Sequence, residues 1–214
     1  HLNKIADICQ QGFGEIEVHL HHHDDTEDNL RHLLTTFCQT LHNDHGALSK
    51  DPQTGELTYA FIHGNWALDN TGDNCGINNE LTILKETGCY ADFTFPSAPH
   101  ATQPSTINSI YYAKDDPLAP NSHNTGVTSK VKQKPWGDLL LITGPLMLNW
   151  KKLKKGVFPQ IENSDLRSGM EPTNDRVDLW VKKTWMCYSE NQSMTCLLIW
   201  KILIMTVKIT YCTT

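Results

Sequence analysis

Residues 15–21, EIEVHLH, alternate strictly between polar and apolar side chains. A side-chain period of two is that of a strand, so Ile16, Val18 and Leu20 share one face and Glu15, Glu17, His19 and His21 share the other. Helical spacing flanks this segment on both sides. Leu2, Ile5, Ala6, Ile8 and Cys9 mark a helix over 2–11, ended by Gly12 and Gly14. Leu30, Leu33, Leu34, Phe37, Cys38 and Leu41 mark a second helix that Asp25 or Thr26 can cap, with Glu27 and Asp28 in its first turn and Gly46 at its close. The pattern then repeats with a strand over 57–62 running into His63 and Gly64, a helix over 78–87 stopped by Gly88, and a strand over 90–95 closed by Pro96. Further strands are predicted over 107–112 and 138–143, with loop between them, and a last helix over 173–183.

Helices alternating with strands predict a parallel α/β sheet or (β/α) barrel. At 214 residues and 24.2 kDa the chain can bury one sizeable core, so one domain is the expectation. Ligands of such folds bind at the carboxyl ends of the strands. Three polar clusters fall there: His21 to Asp25 after the first strand, His63 to Asp69 after the second, Pro96 and Ser97 after the third.

The stretch HLHHHDD, 19–25, is the densest of them. Leu20 within it, and its place between a strand and a helix pattern, argue against an appended histidine tag. His19 and His21, two apart on a strand, point the same way and can supply two ligands to a borderline cation. His22 or His23 can join them where the chain turns, and Asp25 can add an oxygen or brace a ligand imidazole. The bland alternative is a polar strand end bonded to its neighbours or to water. In FIHGNWALDN, 61–70, His63 is a candidate ligand or general acid and Asp69 a candidate base. Asn65 and Trp66 are candidate substrate contacts, the indole suited to stacking on a sugar. CGINNEL, 75–81, reads as a helix start, with Asn78 or Asn79 as cap and Glu80 facing the helix dipole. KKLKK, 151–155, reads as a solvated face, with phosphate or acidic-sugar binding behind it.

Several classes are disfavoured. A net charge of −6 gives no electrostatic case for nucleic acid or an anionic membrane. No phosphate-cradling glycine loop or GxSxG elbow supports a nucleotide enzyme or serine hydrolase. Seven cysteines without a CxxC pair speak against a disulfide framework and for a reducing, cytoplasmic setting. The chain opens at His1 directly into a helix pattern, which reads as a fragment.

All 13 glycines and all 10 prolines lie at or before Pro172, while residues from 184 onward lack Gly, Pro and Asp and are rich in Cys, Met and Trp. The expected division is a partial α/β domain over 1–183 and an atypical tail over 184–214, read as out-of-frame translation, with a buried terminal strand as the other reading. Its apolar run at 196–207 is too short to span a bilayer.

GFGEIEVHLHHHDDT, FIHGNWALDN, CGINNELTILKETGCYADFTFPSAP and INSIYYA together resemble a bacterial group related to NodB-type polysaccharide deacetylases, associated with cell-surface polysaccharide genes. The resemblance covers residues 2–183. It implies a distorted (β/α) barrel of the deacetylase type and a divalent metal held by two histidines and an aspartate, with a second aspartate as base. The family's HxxxH pair is matched by spacing at His19 and His23; within the narrower group the matches are His19, His21, His22 and Asp25. The family's aspartate pair lies on a first strand that has no counterpart ahead of Leu2, which implies truncation at the N-terminus. The expectation is a metal-dependent hydrolase acting on a carbohydrate, with zinc first and manganese, iron or cobalt as alternatives. Its metal would polarise an acetyl carbonyl and lower the pKa of a bound water from about 15.7 toward ~7. The competing expectations are another amide or phosphoester hydrolase, and a non-catalytic carbohydrate-binding or assembly protein.

Overall fold

The computed structural model describes residues 2–72, 76–130, 132–166, 169–188 and 211–212. Ten strands are present among them: β1 (Val18–His21), β2 (Ser49–Lys50), β3 (Leu57–His63), β4 (Cys89–Asp92), β5 (Ser109–Ala113), β6 (Val127–Thr128), β7 (Leu139–Thr143), β8 (Met147–Lys154), β9 (Phe158–Glu162) and β10 (Tyr211–Cys212). Four α-helices accompany them: α1 (Leu2–Gln10), α2 (Glu27–His45), α3 (Glu80–Glu86) and α4 (Asn174–Tyr188). No described helix is long and apolar enough to cross a membrane.

The architecture is mixed α/β around one mostly parallel sheet. Its order is β10-β1-β3-β4-β7-β5-β6, with β2 attached to β3. β1, β3, β4 and β7 run parallel, so the three strands that carry the polar ends point them to one side of the sheet, as the strand–helix alternation predicts. The sheet is not shown closed into a barrel: among the described residues the row of strands ends at β10 and β6. β5 and β6 also depart from an all-parallel layout, pairing antiparallel to β7 and β5. Among the described residues no α-helix separates β4 from β5 or β5 from β7. A parallel partner needs a crossover of a dozen or more residues, usually helical, and without a helix the chain doubles back.

α1, α2 and α3 pack on one face of the sheet. α2 begins where Thr26 Oγ1 accepts the Asn29 N–H at 3.3 Å and Asp25 Oδ1 accepts the Thr26 N–H at 2.7 Å. It ends at Gly46, whose φ of 63° fits the left-handed helix cap that glycine takes without strain. Its buried stripe, Leu30, Leu34, Cys38 and Leu41, meets Val18, Leu20, Tyr59 and Phe61 of the sheet in the main core. The opposite face is thinner, a small cluster of Ala60, Ala91, Phe93, Ile110 and Ile142. Cys9, Cys38 and Cys89 are free thiols.

β8 and β9 form a separate two-stranded antiparallel sheet that the sequence reading did not anticipate. KKLKK, expected first as a solvated face, lies on this hairpin and is exposed. Its turn places Lys155 and Gly156 at φ 52° and 74°, the positive values that tight hairpin turns require. α4 runs through residue 184, and Tyr211 and Cys212 pair in parallel with Leu20 and His21. The rest of the expected 184–214 tail lies outside the described residues.

Candidate metal centre

β1 ends at His21, and the turn that follows sends its imidazoles to different places. His19 is buried, and its Nδ1 lies 3.0 Å from the carbonyl oxygen of Ile62 on β3. A carbonyl only accepts, so His19 donates from Nδ1, and in the neutral ring Nε2 is left as an acceptor. That atom lies 2.9 Å from Nε2 of His21, with the rings edge-on. The predicted pair is therefore brought together. Its spacing fits an N–H···N hydrogen bond and is shorter than the ~3.4 Å that separates two ligands bound tetrahedrally at about 2.0–2.1 Å. His23 points outward, 68% exposed, beside Asp24.

His22 turns inward. Its Nε2 lies 3.1 Å from Oε1 of Glu80, and its Nδ1 lies 3.2 Å from Oδ2 of Asp25 without the alignment of a hydrogen bond. His63, at the end of the neighbouring strand in register with Leu20, reaches the same carboxylate oxygen at 3.5 Å through Nε2. That nitrogen is buried and makes no hydrogen bond, while Nδ1 lies 2.5 Å from the Gly64 carbonyl. The His22 and His63 rings sit 4.5 Å apart. Glu80 opens α3, is fully buried, and accepts the Asp69 N–H on its other oxygen at 2.7 Å.

His22, His63 and Glu80 thus offer three ligand atoms within 4.8 Å of one another, and this buried cluster could hold a metal ion. The separations of 3.1 and 3.5 Å bracket the ~3.4 Å edge of a tetrahedral site. Each imidazole turns Nε2 to the centre and has an oxygen at Nδ1, from Asp25 or from the Gly64 carbonyl, the arrangement that sets tautomer and orientation in metal-binding histidines. Gly76 keeps the adjoining chain close: a Cβ there would lie 3.0 Å from the His22 ring.

The electrostatics separate the two imidazoles. Burial opposes a charge on His22, but Glu80 and Asp25 outweigh it and hold its pKa above the ordinary value. Burial dominates at His63, and with the nearby His22 and His21 it holds that pKa down against the pull of Glu80. Burial alone would raise the Glu80 pKa, yet the two imidazoles and the Asp69 amide bring it below the ordinary range. Without metal, these neighbours favour charge on Glu80 and His22 and disfavour it on His63.

Glu80 stands in the first turn of α3 behind Asn79, as the sequence predicts, but it has a further role. Its carboxylate faces the imidazoles, and Asn79 at the cap makes no side-chain capping bond. A carboxylate in the first turn of a helix has an ordinary explanation, and this masked its second role. The only hint was position, since Glu80 lies in the connection that leaves the strand carrying His63.

Asp69 is fully buried beside this centre. Its Oδ2 accepts the Ser122 N–H at 2.6 Å and hydroxyl at 2.5 Å, and lies 3.4 Å from Nδ1 of His123; Oδ1 has no hydrogen-bond partner. Burial pushes its pKa up, against the bonds from His123 and Ser122. His123, which sequence analysis did not single out, is fully buried and stacked on Phe95. Asn65 is exposed at the turn after β3, and the half-buried Trp66 ring lies 5.4 Å from that of His100. The chain matches no known protein-family model, no curated protein and no solved structure.

Proposed function

We propose that this chain carries the metal-binding core of a metal-dependent hydrolase related to carbohydrate deacetylases. The observation that supports it is the convergence of His22, His63 and Glu80 from three elements, with both imidazoles backed by oxygen at Nδ1. Two histidines and a glutamate form a donor set suited to zinc that leaves a fourth position for water or substrate. A divalent ion there supplies Lewis-acid polarisation of an acyl oxygen and a water that ionises near neutral pH.

The protein's own groups have separate tasks in this reading. The Gly64 carbonyl orients His63 through Nδ1, and the Asp25 carboxylate lies 3.2 Å from Nδ1 of His22, so both rings turn Nε2 inward. The Asp69 amide fixes the outer oxygen of Glu80, so the carboxylate cannot swing away from the histidines. Asp69, with a pKa raised by burial and one oxygen unpaired, is the group suited to carry a proton beside the centre. Asn65 and Trp66 on the strand-end side offer an amide and an indole face to a sugar ring.

Elemental analysis of the purified chain and of His63→Ala is the first test, with about one zinc per chain expected only in the parent. Acetate release from acetylated saccharides, set against phosphate release from phosphoesters, is the second. No metal in either protein would sink the proposal. Metal without turnover of either substrate class would favour a carbohydrate-binding role, and phosphate release would favour a phosphoesterase.

A further inference from the structure

The β8–β9 hairpin carries chemistry that the metal centre does not use. Its base is fixed to α4. Asn149 and Glu162 are buried, and Glu162 takes hydrogen bonds from Arg176 Nε and Nη2 and from Trp180 Nε1 at 2.9–3.1 Å. Arg176 also stacks over the Trp180 ring at 4.7 Å. Beyond this anchor the hairpin is exposed. Trp150, Val157 and Phe158 are 69%, 67% and 65% accessible, and Leu148, Leu153 and Ile161 stand out beside them. Interleaved with these are the exposed Lys152, Lys154 and Lys155, together with Lys151, whose Nζ pairs with Asp175 of α4 at 3.0 Å, and residues 147–161 contain no Asp or Glu. In a chain of net charge −6, this is a concentrated positive patch on an apolar tip.

We propose that this hairpin is a peripheral docking element for an anionic lipid surface. Lysine stems lie along apolar groups while their ammonium heads stay in water, and Trp and Phe settle at the level of the headgroups. Anionic headgroups complement the lysines, and the acyl boundary takes up the aliphatic side chains. An anionic polysaccharide would satisfy the lysines and stack on Trp150, but would leave Leu148, Leu153, Val157 and Ile161 in water. A second copy of the chain pairing through the same patch would set two lysine clusters against each other. Of these three, the bilayer accommodates both the charge and the apolar area. Net charge gave no sign of this surface because it averages the hairpin with an acidic body.

The test is flotation of the full chain with phosphatidylcholine vesicles and with phosphatidylcholine–phosphatidylglycerol vesicles. A chelator is included, so the outcome is independent of the metal centre. Binding is expected only with phosphatidylglycerol and should fall as salt rises. Each lysine near an anionic surface contributes about fivefold in partitioning, so Lys154→Gln with Lys155→Gln should weaken binding by about 25-fold. Trp150→Ser with Phe158→Ser should abolish it, while circular dichroism of both variants matches the parent. No binding to anionic vesicles, or equal binding to neutral ones, would overturn the proposal. So would retention on an anionic polysaccharide without vesicle binding, or a dimer that Trp150→Ser with Phe158→Ser dissociates.

Discussion

Two pairs of imidazoles meet at the carboxyl end of β1 and β3, and they are held in different ways. His19 and His21 come from one strand and face each other because a strand has a period of two. His22 follows β1, His63 ends the adjacent β3, and Glu80, which a third element supplies, lies against both. The first pair is satisfied within the sheet, where the Ile62 carbonyl takes one ring nitrogen and the partner imidazole another. The second leaves His63 Nε2 without a hydrogen bond in a fully buried setting. A buried nitrogen without a partner costs about 1–3 kcal/mol, and an ion at the centre would remove that cost. Dense histidine in the sequence therefore marks the neighbourhood of the centre, while convergence from separate elements marks the centre itself.

The largest effect that can break this comparison is at Glu80. Glu80→Ala removes the carboxylate that both imidazoles share and should abolish zinc binding. It also leaves His22 without its main buried counter-charge, at a cost of about 3–5 kcal/mol. The expected readouts are loss of the rise in Tm on adding zinc and a lower Tm without metal. His19→Ala with His21→Ala should keep the zinc-dependent rise in Tm. If the double substitution removes it and Glu80→Ala does not, the two pairs have been assigned the wrong way round.

A smaller effect is expected at Asp25, which touches His22 only at Nδ1. Asp25→Asn leaves the proposed ligand set intact and should weaken zinc binding about 10- to 100-fold, the usual loss when a partner behind a ligand is altered. Competition with a chromophoric chelator measures it. An unchanged affinity would mean that Asp25 serves only as an Asx turn to α2, where Oδ1 already holds the Thr26 and Asn29 groups.

What could be seen in the sequence divides along the same line. The parallel β1, β3 and β4, the cap at Thr26 and the glycine stop at Gly46 all come from local rules with a fixed period or a fixed residue. His22, His63 and Asp69 were placed near a site because each follows a strand. Glu80 and His123 were not, since neither position interrupts a local pattern and both acquire their meaning from packing. The antiparallel β5 was legible as a strand but not in direction, which depends on the absence of a crossover helix. The β8–β9 hairpin was missed because a bulge between Asn149 and Leu153 breaks the alternation across the lysines.

A third effect concerns Glu17, on the same strand face as His19 by sequence. Its carboxylate accepts the Ala60 N–H at 2.5 Å and the Tyr90 hydroxyl at 3.1 Å, yet burial pushes its pKa up to about 7. A carboxyl whose pKa is higher in the folded state binds its proton more tightly there. Stability is then lost as pH rises from the ordinary value of 4.5 through about 7. Glu17→Gln should therefore raise Tm at pH 8 and change it little at pH 4, by about 1–2 kcal/mol after allowing for partial exposure. A Tm difference independent of pH would show that folding leaves the Glu17 pKa at its ordinary value.

The smallest effect should come from the third imidazole of the HHH run. His23 lies one residue beyond the inward-turned His22, and its side chain is 68% exposed beside an Asp24 that is 93% exposed. Two such groups in water interact weakly, so His23→Ala should change stability by no more than about 0.5 kcal/mol. Zinc affinity should stay the same, because the centre is built from Nε2 of His22 and His63 and neither is braced by His23. The HxxxH spacing of His19 and His23 implies the opposite, since it would make His23 a ligand. A drop of tenfold or more in zinc affinity on His23→Ala, measured by the same chelator competition, would move the centre to His19 and His23, and Glu80 would then be a structural counter-charge to His22.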